Sequence, residues 1–122
     1  MTIAECIERV DALKPNRFGE DVKLEWLRNV EGQIYQEVVL THENPDEIEM
    51  TDFEDEDNKL IAPFPYDEVY VLYLQSQIDY GNMEIAKYNN SKTLFNNAYL
   101  TLRDHWNRKY MPIPVVRRYN NG

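Results

Sequence analysis

Cysteine, histidine and glycine are scarce in this chain, and their scarcity argues against several classes of site. Of 122 residues, one is cysteine, two are histidine and four are glycine. Cys6 alone cannot form an intramolecular disulfide, and with histidines at 42 and 105 it matches no zinc motif. The four glycines form no phosphate-binding loop. No spacing brings a histidine beside Cys6 or a serine, so we expect no enzyme activity, no catalytic residue, no metal and no cofactor.

Long hydrophobic runs are also missing. No stretch approaches the roughly 18 apolar residues that a membrane-spanning helix needs. The first ten residues, MTIAECIERV, lack the basic region and apolar core of a signal peptide. We therefore expect a soluble protein in a reducing cytoplasm, with Cys6 as a small buried hydrophobe rather than a reactive thiol.

Charge is abundant but segregated along the chain. Residues 1–86 hold 21 acidic and 6 basic side chains, whereas residues 87–122 hold 1 acidic and 7 basic ones. The net charge of −9 would repel nucleic acid and anionic membranes from the whole molecule. Copies packed head to tail would place the basic end of one subunit against the acidic body of the next. The charge pattern therefore indicates assembly.

Apolar spacing and capping signals predict four helices. Thr2 and Glu5 form a capping box before the first apolar stripe, and Asp67 with Glu68 suits the first turn of a later helix. Periodicity does not decide whether the last helical stretch bends at Gly81-Asn82, bends at Asn89 to Ser91 or continues as one helix; we favour a turn at Asn89 to Ser91, because asparagine and serine prefer caps to helix interiors. The predicted helices span about residues 3–14, 20–39, 66–88 and 91–109. Gly32, in the second helix, either lets another backbone pass close by or simply weakens the helix, and we favour the close approach.

The remaining segments complete the predicted architecture. Nine acidic residues between Glu43 and Asp57 indicate a loop or small β-hairpin at about residues 40–62. Residues 112–122 are too short to fold alone, and we expect this tail to become ordered only against another chain. The fold class is thus mainly α, a small bundle of about four helices ending in a long helical hairpin. Residues 1–111 form one helical domain, followed by the extended tail.

Residues 60–112 contain five short motifs: Pro65-Tyr66-Asp67, Ile78-Asp79-Tyr80, Tyr88-Asn89-Asn90-Ser91, Asn96 to Tyr99 and Asn107-Arg108. With these motifs the segment resembles small head–tail connector (adaptor) proteins of tailed bacteriophages and prophages. The resemblance implies a helical subunit of a closed ring, usually dodecameric, beneath the portal, joining head to tail and helping to hold DNA in the filled head. It implies no catalytic residues.

The resemblance also implies partners and an interface. The partners are further copies of the chain, the portal protein and the next neck or stopper protein, with DNA at most passing through the ring. The subunit would be made in the host cytoplasm and reside in the virion neck. Together with the charge pattern, the resemblance predicts an oligomer or portal interface at Arg108, Lys109, Pro112, Ile113, Pro114, Val115, Val116, Arg117, Arg118 and Tyr119.

Two other functions fit the same sequence. In one, the chain is a small acidic regulatory protein whose segment Glu43 to Asp57 imitates nucleic-acid phosphates and binds a basic partner. In the other, a helical nucleic-acid binder uses Arg103, Arg108, Lys109, Arg117 and Arg118. The first predicts a monomer or dimer that competes with DNA, and the second predicts salt-sensitive DNA binding.

Overall fold

In its described residues the protein is mainly helical, as the sequence predicts, with four α-helices and one small antiparallel sheet. A computed structural model describes residues 1–43 and 47–114. The elements are α1 (Ile3–Leu13), α2 (Glu20–Ile34), a π-helical turn (Tyr35–Val39), β1 (His42–Glu43), α3 (Glu68–Gly81), α4 (Ile85–Lys109) and β2 (Met111–Pro112).

Helix α1 begins as its sequence predicts. The Thr2 hydroxyl accepts a hydrogen bond from Glu5 N, and the Glu5 carboxylate accepts one from Thr2 N, which completes the capping box. The apolar face is buried, and Cys6 lies within it with no exposed surface. The interpretation of Cys6 as a core residue is therefore confirmed.

Helix α2 continues into the π turn, so the helical segment predicted to reach residue 39 does so with a change of geometry. Leu40 N donates to Tyr35 O at 2.9 Å, the five-residue spacing of a π turn. The predicted backbone contact at Gly32 is wrong. A Cβ there would meet only Met50 Cε, at 3.9 Å, so a side chain rather than a backbone covers this glycine.

Helix α3 is the central helix of the bundle. Buried residues occur on all its sides, and it packs against α1, α2 and α4. Helices α1 and α4 both pack against α3 and make few contacts with one another. The outer surfaces of α1 and α4 are therefore separate surfaces of the molecule.

The predicted break between the last two helices at Asn89 to Ser91 is wrong. Helix α4 runs through these residues, and the chain turns at residues 82–84, where Met83 has φ 58°. Ser91 is buried in α4 and donates to Asp79 Oδ2 at 2.9 Å, so a polar contact with α3 holds it inside the helix. Helix propensity predicted a turn at Asn89 because it takes no account of this tertiary contact.

The acidic insertion is a loop in its described part, residues 47–67. It caps the start of α1: Ile3 N donates to Asn58 O at 3.1 Å, and Ala4 N donates to Glu56 O at 2.9 Å. A single β-bridge joins Thr2 to Lys59. The loop thereby satisfies backbone donors of the first turn that a helix leaves unpaired.

The small sheet joins segments that are distant in the sequence. Strand β1 pairs with β2 in antiparallel register, His42 opposite Pro112 and Glu43 opposite Met111. The first residues after α4 therefore pair within their own subunit, so the expectation that the tail becomes ordered only against another chain is wrong for Pro112 and Ile113. Within residues 1–43 and 47–114, no helix is long and apolar enough to cross a membrane.

Candidate functional site

The C-terminal arm, residues 111–114, leaves the body at the β1–β2 ribbon. Ile113 N donates to Thr41 O at 2.8 Å. Because successive N–H groups of a strand point to opposite edges, the backbone nitrogen of Pro112 lies on the edge away from β1, and proline has no N–H there. The outer edge of β2 therefore lacks a donor at Pro112, and this discourages the addition of a further strand. Met111 and Ile113 are 68% and 41% exposed. The arm thus offers apolar side chains, rather than a free strand edge, to a partner.

His42 anchors this arm to the body. Its Nδ1 lies 2.6 Å from Val38 O, and its Nε2 lies 2.6 Å from Asn107 Oδ1 in the last turns of α4. The ring is buried. The histidine therefore links the end of the π turn to the end of α4 at the base of the ribbon.

The predicted interface residues divide between the body and the unplaced end of the chain. Arg108 and Lys109 are exposed in the last turn of α4, where their charge favours the helix dipole. Pro112, Ile113 and Pro114 are exposed in the arm. The others, Val115, Val116, Arg117, Arg118 and Tyr119, lie outside the described residues. The structure thus brings Arg108, Lys109 and the start of the arm together at one end of α4.

The outward side of α4 carries an uncharged surface. We call it the uncharged face; its residues are all exposed, and they are Ala86, Asn89, Asn90, Thr93, Leu94, Asn96, Asn97, Leu100 and Thr101. On a helical projection they form one arc opposite the buried stripe of Ser91, Phe95, Tyr99, Leu102 and Trp106. Lys87, Lys92 and Arg103 flank this arc. Each asparagine or threonine here costs about 0.5 kcal/mol of helix stability relative to alanine.

The side of the molecule around α1 is acidic and indented. We call it the acidic surface; its carboxylates are Glu5, Glu8, Asp11, Glu20 and Glu56. Two clefts, of about 470 and 410 Å³, lie on either side of Glu8. Ala4 and Ile7 contribute apolar lining to the larger cleft, and Ala12 to the smaller one, which Met1 and Arg9 also line. The acidic surface therefore combines a negative excess with partly apolar depressions.

Carboxylates crowd one another in the larger cleft. The neighbouring Glu20 carboxyl group is the main cause of a raised pKa at Glu56, with smaller contributions from desolvation and from the Asp57 charge. Glu56 Oε1 is buried and has no hydrogen-bond partner. Lys23 bonds Asp11 at 2.7 Å and balances one carboxylate at the cleft. The cleft retains a negative excess that a cationic partner would relieve.

A buried glutamate ties the insertion to the bundle. Glu31 is fully buried in α2, and its carboxylate accepts from Tyr70 Oη at 2.6 Å, Thr51 Oγ1 at 2.7 Å and Ile61 N at 2.8 Å. Burial raises the pKa of Glu31, and the three hydrogen bonds lower it by less. Tyr70 Oη in turn accepts from Ala62 N at 2.8 Å. This network fixes the loop against α2 and α3.

The histidines and the cysteine show no nucleophilic arrangement. Burial raises the pKa of Cys6 to about 12, so its thiol stays protonated at neutral pH. His105 stacks on Tyr66 with ring centroids 4.2 Å apart, whereas His42 contacts Val38 O and Asn107 Oδ1. In the part of the chain that the structure describes, no group of three histidine, cysteine, aspartate or glutamate side chains could hold a metal ion.

Comparison with known proteins returns no relative: no family model, no curated protein and no solved structure matches the chain. The assignment of function therefore depends on the surfaces described above and on the resemblance in residues 60–112.

Sequence reasoning missed two features that had a signal. The uncharged face could have been predicted from the absence of any charged residue between Lys92 and Arg103, in a chain with 29% charged residues. Glu31 falls one residue after Val30 and three before Ile34, on the apolar stripe of α2, which is the position of a buried residue. In both cases the signal is a residue type that is unusual for its position: uncharged residues along a helix in a highly charged chain, and a glutamate on an apolar stripe.

Proposed function

We propose that the chain is a subunit of a phage or prophage head–tail connector (adaptor) ring that lies beneath the portal and joins head to tail. Its partners would be further copies of itself, the portal protein and the next neck or stopper protein. It would be made in the host cytoplasm and reside in the virion neck. It carries no chemistry in this role, and DNA passes through the ring.

The observation that carries the proposal is the separation of two complementary surfaces. The acidic surface lies on the α1 side, whereas Lys92, Arg103 and Arg108 lie on α4, and α1 and α4 make few contacts with one another. Unlike surfaces on different sides of a subunit produce a heterologous interface, which closes into a ring when the rotation between neighbours permits. The geometry therefore favours a ring over a two-fold dimer.

The arm supplies the second support. It begins beside Arg108 and Lys109, exposes Met111 and Ile113, and leads to two further arginines at 117 and 118. Exposed rim charges contribute about 0 to 1 kcal/mol each, so apolar contacts must provide most of the affinity while charge sets direction and register. An arm with both kinds of residue suits contact with a neighbouring subunit or with the portal.

Truncation tests the role of the arm. A chain ending at Pro114 keeps the β1–β2 pairing, so we expect an unchanged melting temperature and a loss of assembly, measured by light scattering with and without portal rings. The matched charge test is Arg117→Glu with Arg118→Glu, and its control is Arg17→Glu with Lys59→Glu on exposed positions of the body. Full assembly by the truncated chain would contradict the proposal. A monomer or dimer that competes with DNA for a basic protein would instead support the acidic regulator.

A further inference from the structure

The uncharged face of α4 is unusual for a surface in contact with water. Between Ala86 and Thr101 its exposed arc includes four asparagines, two threonines and two leucines, and no charged residue. Leu94 and Leu100 are 47% and 54% exposed. Lysine, glutamate and arginine would favour both helicity and solubility at these positions. A residue composition that lowers both helicity and solubility indicates a constraint other than the stability of the subunit.

Depletion of charge is a property of the buried part of protein interfaces. Lysine, glutamate and aspartate are under-represented there, because they lose hydration when a partner covers them. Asparagine and threonine can exchange hydrogen bonds with water for hydrogen bonds with a partner. The composition of the uncharged face is therefore typical of a covered surface.

The flanking charges decide which partner covers it. If two copies paired α4 with α4 around a two-fold axis, Lys92 of one helix would approach Arg103 of the other. Asp104 is the one acidic residue between Ile85 and Lys109 that could offset these positive charges. Like charges brought together in this way oppose association. The acidic surface of another copy offers charges of the opposite sign and apolar clefts on both sides of Glu8.

We infer that the uncharged face of α4 packs against the acidic surface of the next copy of this chain, with Leu94 and Leu100 directed at the clefts beside Glu8. The inference rests on the proposed ring and assigns its interface. Lys92 and Arg103 then meet carboxylates of the neighbour, including the crowded Glu20 and Glu56. Because the two surfaces differ, every subunit uses one of each, and the contacts require no two-fold axis.

Replacing Asn97 with either an acidic or a basic residue distinguishes the inferred interface from a two-fold α4 pair. In the arrangement inferred here, Asn97→Glu places a carboxylate against the acidic surface, and we expect the dissociation constant for assembly to rise about tenfold or more. Asn97→Lys should not weaken assembly, because the added cation faces carboxylates. In a two-fold α4 pair, Lys92 and Arg103 of both copies would surround this position, so Asn97→Lys would weaken assembly and Asn97→Glu would weaken it less. The matched control is Asn29→Glu on the exposed side of α2, outside both surfaces.

Recovery and cross-linking complete the test. Glu8→Lys combined with Asn97→Glu should recover most of the lost assembly, and Thr93→Glu serves if Asn97→Glu fails to fold. An equimolar mixture of Asn97→Cys and Glu8→Cys chains, distinguished by mass, should give mixed disulfide dimers, while buried Cys6 stays unreactive. Assembly that tolerates Asn97→Glu, with no mixed cross-link, overturns this interface but leaves the ring standing. A parent chain that does not associate at any concentration, alone or with portal, overturns both.

Discussion

Glu31 shows at the residue scale how a buried carboxyl group holds an irregular segment in place. Its carboxylate is removed from water, and burial is the larger influence, so its pKa is raised. The folded state therefore retains a proton to higher pH than the unfolded chain does. This group contributes stability that is fully present below its unfolded pKa of about 4.5 and is lost as pH rises through the folded pKa.

Glu31→Gln should consequently change both stability and its pH dependence. The amide keeps an acceptor for Tyr70 but turns a nitrogen toward Ile61 N, so we expect a loss of about 1 to 3 kcal/mol at pH 4. The difference in unfolding free energy between parent and variant should shrink as pH rises, since the variant has no carboxyl to ionise. Denaturant titrations from pH 4 to 8 measure it, and a difference that grows with pH would contradict the network.

Two glycines should respond to alanine with opposite signs. At Gly32 an added methyl meets only Met50 Cε at ordinary contact distance, so Gly32→Ala should stabilise α2 by about 0.5 to 1 kcal/mol. At Gly81 the methyl would overlap the ring of Phe18, which packs edge-on against Trp26. Gly81→Ala should therefore destabilise the fold by about 1 kcal/mol. Thermal melts of the two variants test this, and stabilisation by both would show that Phe18 yields freely.

At the scale of elements, the α3–α4 turn depends on one residue in a left-handed conformation. Met83 has φ 58° and its side chain is 82% exposed, so it contributes little packing. Met83→Gly should stabilise the protein by up to about 1 kcal/mol, because glycine adopts this conformation without steric cost. Met83→Val should destabilise it by at least a similar amount. Equal melting temperatures for both variants would mean that the turn is not strained.

Elements with local signals were predictable, and those fixed by distant contacts were not. The capping box of Thr2 and Glu5 set the start of α1, and the first two helices and the end of the last one fall near their predicted bounds. The α3–α4 turn was misplaced because Ser91 is held by Asp79, which no local rule registers. The β1–β2 pairing joins residues about seventy apart, so neither strand carries a recognisable signal alone. The uncharged face was readable in the sequence but became meaningful only once its exposure was known.

At the scale of the whole molecule, assembly through complementary charge should depend on ionic strength. Exposed pairs are screened at high salt, whereas apolar contacts are not weakened in the same way. We expect added sodium chloride to slow association in light-scattering traces and to leave the melting temperature of the subunit nearly unchanged. Faster association at high salt would indicate that apolar contacts alone direct it.

The central claim is that this chain forms a closed ring through two different surfaces. Native mass spectrometry across a concentration series, with the protein alone and with portal rings, tests it most directly, since each subunit adds 14.6 kDa. We predict one stoichiometry above the dimer that does not grow once it has formed. A chain that stays monomeric, or that stops at a dimer, under both conditions would contradict the account.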